Sequence, residues 1–152
     1  MVQKGYHKSL KYEVKKTMAT YTSGPVAGNQ SFKPFPDGNL GVRYAKFTAT
    51  TALAANDIIQ MVDVFAGETV HDVKLKTGDL DTGTAIVLGV GDGGDTDKYI
   101  AASTVGQAGG SDDQEVNLAP TVYSVDDTVD IVVEVAPGGG GTGDLALWVY
   151  VS

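Results

Sequence analysis

TVDIVVEVA (residues 128–136) and LALWVYV (residues 145–151), parted by Pro137 and the four glycines 138–141, decide the fold. In the first stretch Val129, Ile131, Val133 and Val135 alternate with Thr128, Asp130, Val132 and Glu134. In the second, Leu145, Leu147, Val149 and Val151 alternate with Ala146, Trp148 and Tyr150. A period of two sends successive side chains to opposite faces of a strand, so one apolar face turns to a core. Ile131, Val133, Leu145, Leu147 and Val149 are therefore expected to be buried. The Pro/Gly run breaks the pattern and reads as a hairpin loop.

The same period extends backward to Val42. Val42, Tyr44 and Lys46 alternate with Arg43, Ala45 and Phe47 in a strand reaching about Thr50. Further strands are expected at 58–65, at 70–75 around His71, at 85–90 and at 98–103. Weaker ones are expected at 115–118 and 121–125, with a Gly-rich loop over 105–113. Short strands at this spacing, with no helical period after residue 42, predict an all-β chain: an antiparallel β-sandwich, jelly-roll-like, with an immunoglobulin-like sandwich as the alternative.

Residues 1–41 read differently. Tyr6, Leu10, Val14 and Met18 recur at helical spacing while Leu10, Tyr12 and Val14 alternate as in a strand, and neither template prevails. Residues 23–41 hold three Pro and four Gly around Phe32 and Phe35, a composition suited to an extended strap with aromatic anchors. The expected division is an extended basic N-terminal arm, 1–41, and a sandwich domain, 42–152.

Charge follows that division. Residues 1–46 carry eight basic and two acidic side chains, a net of +6, and residues 47–152 carry three against seventeen, a net of −14. A basic arm on an acidic body suits an acidic partner or the acidic face of a second copy. Lys8, Lys11, Lys15 and Lys16 are the candidate contacts, with Phe32 and Phe35 as apolar anchors. An acidic body repels phosphates, so nucleic acid is not an expected partner. The densest apolar stretches, 58–65 and 84–90, are interrupted by Asp63 and Gly89 and fall short of the ~20 residues of a spanning helix, so no membrane association is expected.

The 152 residues include no Cys and two His, His7 and His71. Thiolate chemistry is excluded, and most acid–base and zinc chemistry lacks its usual residues. Asp112-Asp113 and Asp126-Asp127 are adjacent pairs that would face opposite ways on a strand, which does not make a shared-proton dyad. Catalysis is not expected and no cofactor is required. The one candidate cation site is Asp92, Asp95 and Asp97 in the loop GDGGDTD (residues 91–97), whose three carboxylates suit calcium but also serve as ordinary turn residues. Trp148 and Tyr150 share a strand face, where they fill the second face of a buried strand or a subunit contact, or stack on sugars.

TTALAANDIIQMVDVFAGETVHDVKLKTGDLDTGTAIVLGVGDGGDTDKYIAAS (residues 50–103) followed by VDDTVDIVVEVAPGGGGTGDLALWVYV (residues 125–151) resembles small structural proteins of tailed bacteriophages. The strand 57–64, the turn 66–69, the segment Asp79-Leu80-Asp81-Thr82-Gly83 and the terminal strand 143–150 carry the likeness. The resemblance implies a capsid decoration or cement protein. Such a protein is a β-sandwich bound to the major capsid protein on the outer surface of the virion, often as a homotrimer, with an arm laid over neighbouring capsomers. The alternative is a carbohydrate- or receptor-binding module of a tail fibre.

Overall fold

In a computed structural model that describes residues 18–23 and 39–152, the alternating stretches become the strands of two facing sheets. The strands are β1 (Thr20–Thr22), β2 (Gly41–Ala49), β3 (Ile58–Val64), β4 (Thr69–Thr77) and β5 (Val87–Gly91). They continue with β6 (Ile100–Ser103), β7 (Gly110–Asp113), β8 (Thr121–Val122), β9 (Asp127–Val135) and β10 (Gly143–Val151). One sheet has the order β1-β3-β9-β5-β6 and the other β2-β10-β4-β7, with β8 on β4 beside β7. Every pairing is antiparallel except β1 on β3.

Removing β1 and β8 leaves eight strands in which β2 pairs β10, β3 pairs β9, β4 pairs β7 and β5 pairs β6. This nested pairing is the jelly roll. It also corrects the reading of the glycine run. Pro137 and the glycines do not close a hairpin, because β9 and β10 belong to different sheets. The segment crosses the end of the sandwich instead, with positive φ at Gly140 and Gly141.

Alternation sorts the core as expected: Ile131, Val133, Leu145, Leu147 and Val149 are all fully buried between the sheets. Thr20–Thr22, expected in the arm, joins the β3 edge. There the buried Ser23 hydroxyl donates to the Met61 carbonyl at 2.6 Å, and Tyr21 packs on Phe47 with ring centroids 5.6 Å apart. That contact puts the β1 edge of one sheet and the β2 edge of the other on the same side of the sandwich. On the opposite side Ser103 of β6 donates to Asp112 of β7. Strand ends shift by one to three residues at several places, and two assignments differ outright from expectation. Residues 115–118 form no strand, and β7 arises inside the expected glycine loop after a 3-10 turn at Val105–Gln107. Register against β4 gives Gly110–Asp113 a ladder that its composition does not advertise.

Candidate functional site

Four polar assemblies and one open sheet face hold the chemistry of the described residues. The first is Arg43, which alternation turns inward on β2. Its guanidinium grips the Glu68 carboxylate through both terminal nitrogens, at 2.6 and 2.5 Å, and also donates to the Asp63 carbonyl at 2.9 Å. Both side chains of this pair are almost wholly buried. The bidentate geometry fixes the turn after β3, where Glu68 also accepts from the Phe65 amide.

The second is Asp81, buried at the end of the sandwich. Gly83 and Gly139 donate their amides to one carboxylate oxygen, and Ala85, Ile86 and Gly138 donate to the other, at 2.8–3.0 Å. Burial opposes ionisation, but the amide donors prevail and hold Asp81 well below the usual carboxylate range. The glycine run thus serves as half of a carboxylate cage. The Asp79–Gly83 turn gave a sequence signal for a turn, and only the crossing of 137–141 shows what it grips.

The third assembly centres on Asp92. One oxygen accepts from Lys98 Nζ at 2.6 Å and from the Tyr123 hydroxyl at 2.8 Å, and the other from the amides of Gly94 and Asp95 at 3.0 Å. The Tyr123 hydroxyl also bonds the Tyr99 hydroxyl at 2.7 Å, and Lys98 lies 5.2 Å from the Tyr123 ring centre. Burial pushes Tyr99 and Tyr123 up, while Lys98 and Tyr123 hold Asp92 down against its own burial. Asp92, Asp95 and Asp97 are not brought together: Asp92 is buried in this network, and Asp95 and Asp97 are exposed. Among the described residues no three acidic or His side chains converge as metal ligands.

The fourth is Asp130, on the outward face of β9 beneath that loop. It is 5 % exposed and its Oδ1 has no hydrogen-bond partner. Burial, reinforced by the charges of Asp127 and Asp92, pushes its carboxyl up to about 7 against the Thr128 hydroxyl, which lowers it.

The remaining titratable candidates are accounted for by local bonds. His71 Nε2 shares a hydrogen bond with Ser152 Oγ at 2.8 Å, Asp113 pairs with Lys74 at 2.9 Å, and Asp126 accepts from the Ala66 amide. His71 and Ser152 set a hydroxyl beside an imidazole, but among the hydrogen bonds of the described residues no carboxylate orients the His71 ring, and the neighbouring Asp72 carboxylate accepts from the Val73 amide instead. Lys8, Lys11, Lys15, Lys16, Phe32 and Phe35 lie outside the described residues.

The open face is the outer side of the β2-β10-β4 sheet. Tyr44 and Trp148 are cross-strand partners whose rings pack 4.9 Å apart at 48°. Beside them lies a depression of 440 Å³, lined by Lys46, Lys76, Asp144 and Ala146 as well as the two rings. Lys46 and Asp144 pair across its rim at 2.8 Å. Trp148 and Tyr150 are half-buried here, facing away from the core. The sequence indicated Trp148 and Tyr150 through strand parity; Tyr44 enters only through register.

No protein-family model and no curated protein sequence matches the chain. Solved structures do. A chain in the capsid of Ralstonia phage GP4 is 29% identical with a TM-score of 0.74, over 88% of this chain and 97% of that one. A chain in the cyanophage Pam1 capsid asymmetric unit is 30% identical with a TM-score of 0.68, over 81% of this chain and 94% of that one. A chain in the acidic stable capsid structure of Helicobacter pylori bacteriophage KHP30 shares the fold at 13% identity, with a TM-score of 0.53 over 74% of this chain and 87% of that one. A jelly roll alone carries no function, since unrelated proteins share it. Sequence identity sustained over nearly the whole Pam1 chain on the same sandwich is more than a shared architecture, and it shows that the chain belongs to the family of phage capsid-associated β-sandwich proteins, structural components of the virion.

Proposed function

We propose that the chain is a non-enzymatic head decoration or cement protein, which binds the major capsid protein on the outer surface of the shell and bridges neighbouring subunits as a homotrimer. The observation that carries this reading is coverage. The matched capsid chains are spanned to 97% and 94% by one small sandwich, so each is hardly more than this domain. A single jelly roll, with Asp81 and Asp92 held in internal hydrogen-bond networks and other carboxylates at its surface, suits an accessory that clamps a shell from outside. A shell repeats its sites, so contacts that are weak singly add up through several linked copies. The basic residues Lys8, Lys11, Lys15 and Lys16 and the anchors Phe32 and Phe35 are the proposed contacts to the capsomers. The test is co-sedimentation of purified protein with heads that lack it. Full-length protein should pellet with the heads, and a chain without residues 1–17, which keeps β1, should pellet far less. Failure of the full-length chain to bind such heads would overturn the reading. The depression beside Tyr44 and Trp148 favours a second reading, a carbohydrate-binding module; glycan-array binding lost on Trp148→Ala, with no binding to heads, would establish it instead.

A further inference from the structure

Among the described residues, one lysine stands without an acidic partner. Arg43 pairs with Glu68, Lys46 with Asp144, Lys74 with Asp113 and Lys98 with Asp92. Lys76 is exposed, makes no such pair, and lines the depression beside Tyr44 and Trp148. Strand register explains its surroundings. Ala146 of β10 faces Lys46 on β2 and Lys76 on β4, so a methyl group floors the row between two lysines. The next row on the same face is Tyr44, Trp148 and Lys74. Side chains two residues apart along a strand stand about 7 Å apart, a span that one pyranose ring with a carboxylate at C5 covers.

Each part of the lining has its own use. The Tyr44 and Trp148 rings offer apolar faces, and their 48° tilt suits a puckered ring better than a flat one lying on both. Asp144 accepts from Thr48 on one oxygen at 2.5 Å and from Lys46 on the other at 2.8 Å, which leaves lone pairs for ligand hydroxyls. Lys76 brings three N–H donors and a charge. Two lysines against one carboxylate leave the lining one positive charge, on a body that is acidic elsewhere. The 440 Å³ falls within the range of about 300–1,000 Å³ usual for small-ligand sites. We propose that the depression binds an acidic sugar, a hexuronate unit of a polysaccharide, with its carboxylate on Lys76, its ring on Trp148 and Tyr44, and its hydroxyls on the Lys46–Asp144 pair. The inference rests on the carbohydrate reading of this depression and adds the charge and pose of the ligand; it does not depend on head binding. A neutral sugar leaves Lys76 idle, and an acidic peptide brings no hydroxyl-bearing ring to Asp144 and the aromatic pair.

Trp148 is the one tryptophan of the chain, so tryptophan fluorescence reports on this site directly. The full chain is titrated with trimers of galacturonate and of glucuronate, and with the methyl esters of the same trimers, which keep the rings and remove the charge. At least one acid should shift the emission and saturate. Its ester should bind about two- to fivefold more weakly, the range of one exposed ion pair. Added salt should narrow that difference. Lys76→Glu, at an exposed position, should abolish the preference for the acid and leave ester binding unchanged. Ala146→Leu fills the floor from the solvent side and should weaken acid and ester alike, by about tenfold, with an unchanged melting temperature. Equal binding of acid and ester, or a preference for the acid that survives Lys76→Glu, would overturn the proposal and leave the carbohydrate reading standing. No response to any of the sugars would overturn both. Tighter binding of a triglutamate peptide than of either acid would overturn the proposal in favour of a peptide carboxylate.

Discussion

Burial of charge is the main residue-scale feature of this sandwich, and each buried group behaves according to its partners. Arg43 and Glu68 satisfy each other, so the pair is tolerable while whole and costly when broken. Glu68→Ala leaves the guanidinium uncompensated and is expected to lower unfolding free energy by about 3–5 kcal/mol in denaturant titration. Asp130 has the opposite character. Its folded value of about 7 lies above the ordinary 3.8, so the folded state holds a proton that the unfolded state releases. The stability it contributes is present at low pH and is lost as pH rises from about 4 through 7. Asp130→Asn should therefore flatten the pH dependence of the melting temperature across that window and raise it at pH 8. A variant that melts in parallel with wild type at every pH would show that the Asp130 carboxyl does not titrate there. Leu147 is fully buried between the sheets, and Leu147→Ala is expected to cost about 2–5 kcal/mol.

At the scale of elements, the loop 92–97 shows how a strand and its crossing depend on a single missing side chain. A Cβ on Gly91 would stand 1.9 Å from the Asp95 carbonyl oxygen, so β5 must present bare backbone where the loop folds back over it. Gly91→Ala is expected to destabilise the protein by roughly 1–3 kcal/mol or more through this overlap, read as a lowered melting temperature. The same loop was the candidate calcium site. Lys98, Tyr123 and two amides already surround the Asp92 carboxylate, and Asp95 and Asp97 are exposed. Melting curves in calcium and in chelator should superimpose. A rise of several degrees with calcium that Asp95→Asn removes would restore the site.

Across the whole molecule, the two sides of the sandwich differ in kind. The β1–β2 side shows Val42 and Tyr44; the β7–β8 side carries Asp112, Asp113 and Glu115 and shows Leu118 and Val122. In this jelly roll β2 lies at one edge of its sheet and the loop that follows β7 lies at the other, so the acidic segment 112–127 gathers on one side. Binding to heads through the proposed basic contacts should weaken as ionic strength rises, because the acid–base part of those contacts is screened. Sedimentation across a salt series measures this, and an apolar contact alone would show no loss.

The sequence by itself determined the strand class, most strand positions, the inward residues of β9 and β10 and the absence of thiol and most histidine chemistry, because parity and composition are local properties. It also held the likeness to phage structural proteins in its turns and strands. It did not determine which strands pair, and so it read residues 138–141 as a hairpin loop and could not foresee that Gly138 and Gly139 donate to Asp81, some 57 residues earlier in the chain. Arg43 was legible as one face of an alternating strand, yet nothing near it announces Glu68 as its buried partner. Asp92 was legible as a loop carboxylate, and only Tyr123, brought in from another loop, ties it with Lys98 and Tyr99 of its own loop into a network. Tertiary structure decided these matters because a buried charge is settled by groups that long-range pairing delivers, and one-dimensional pattern contains no record of which those groups are.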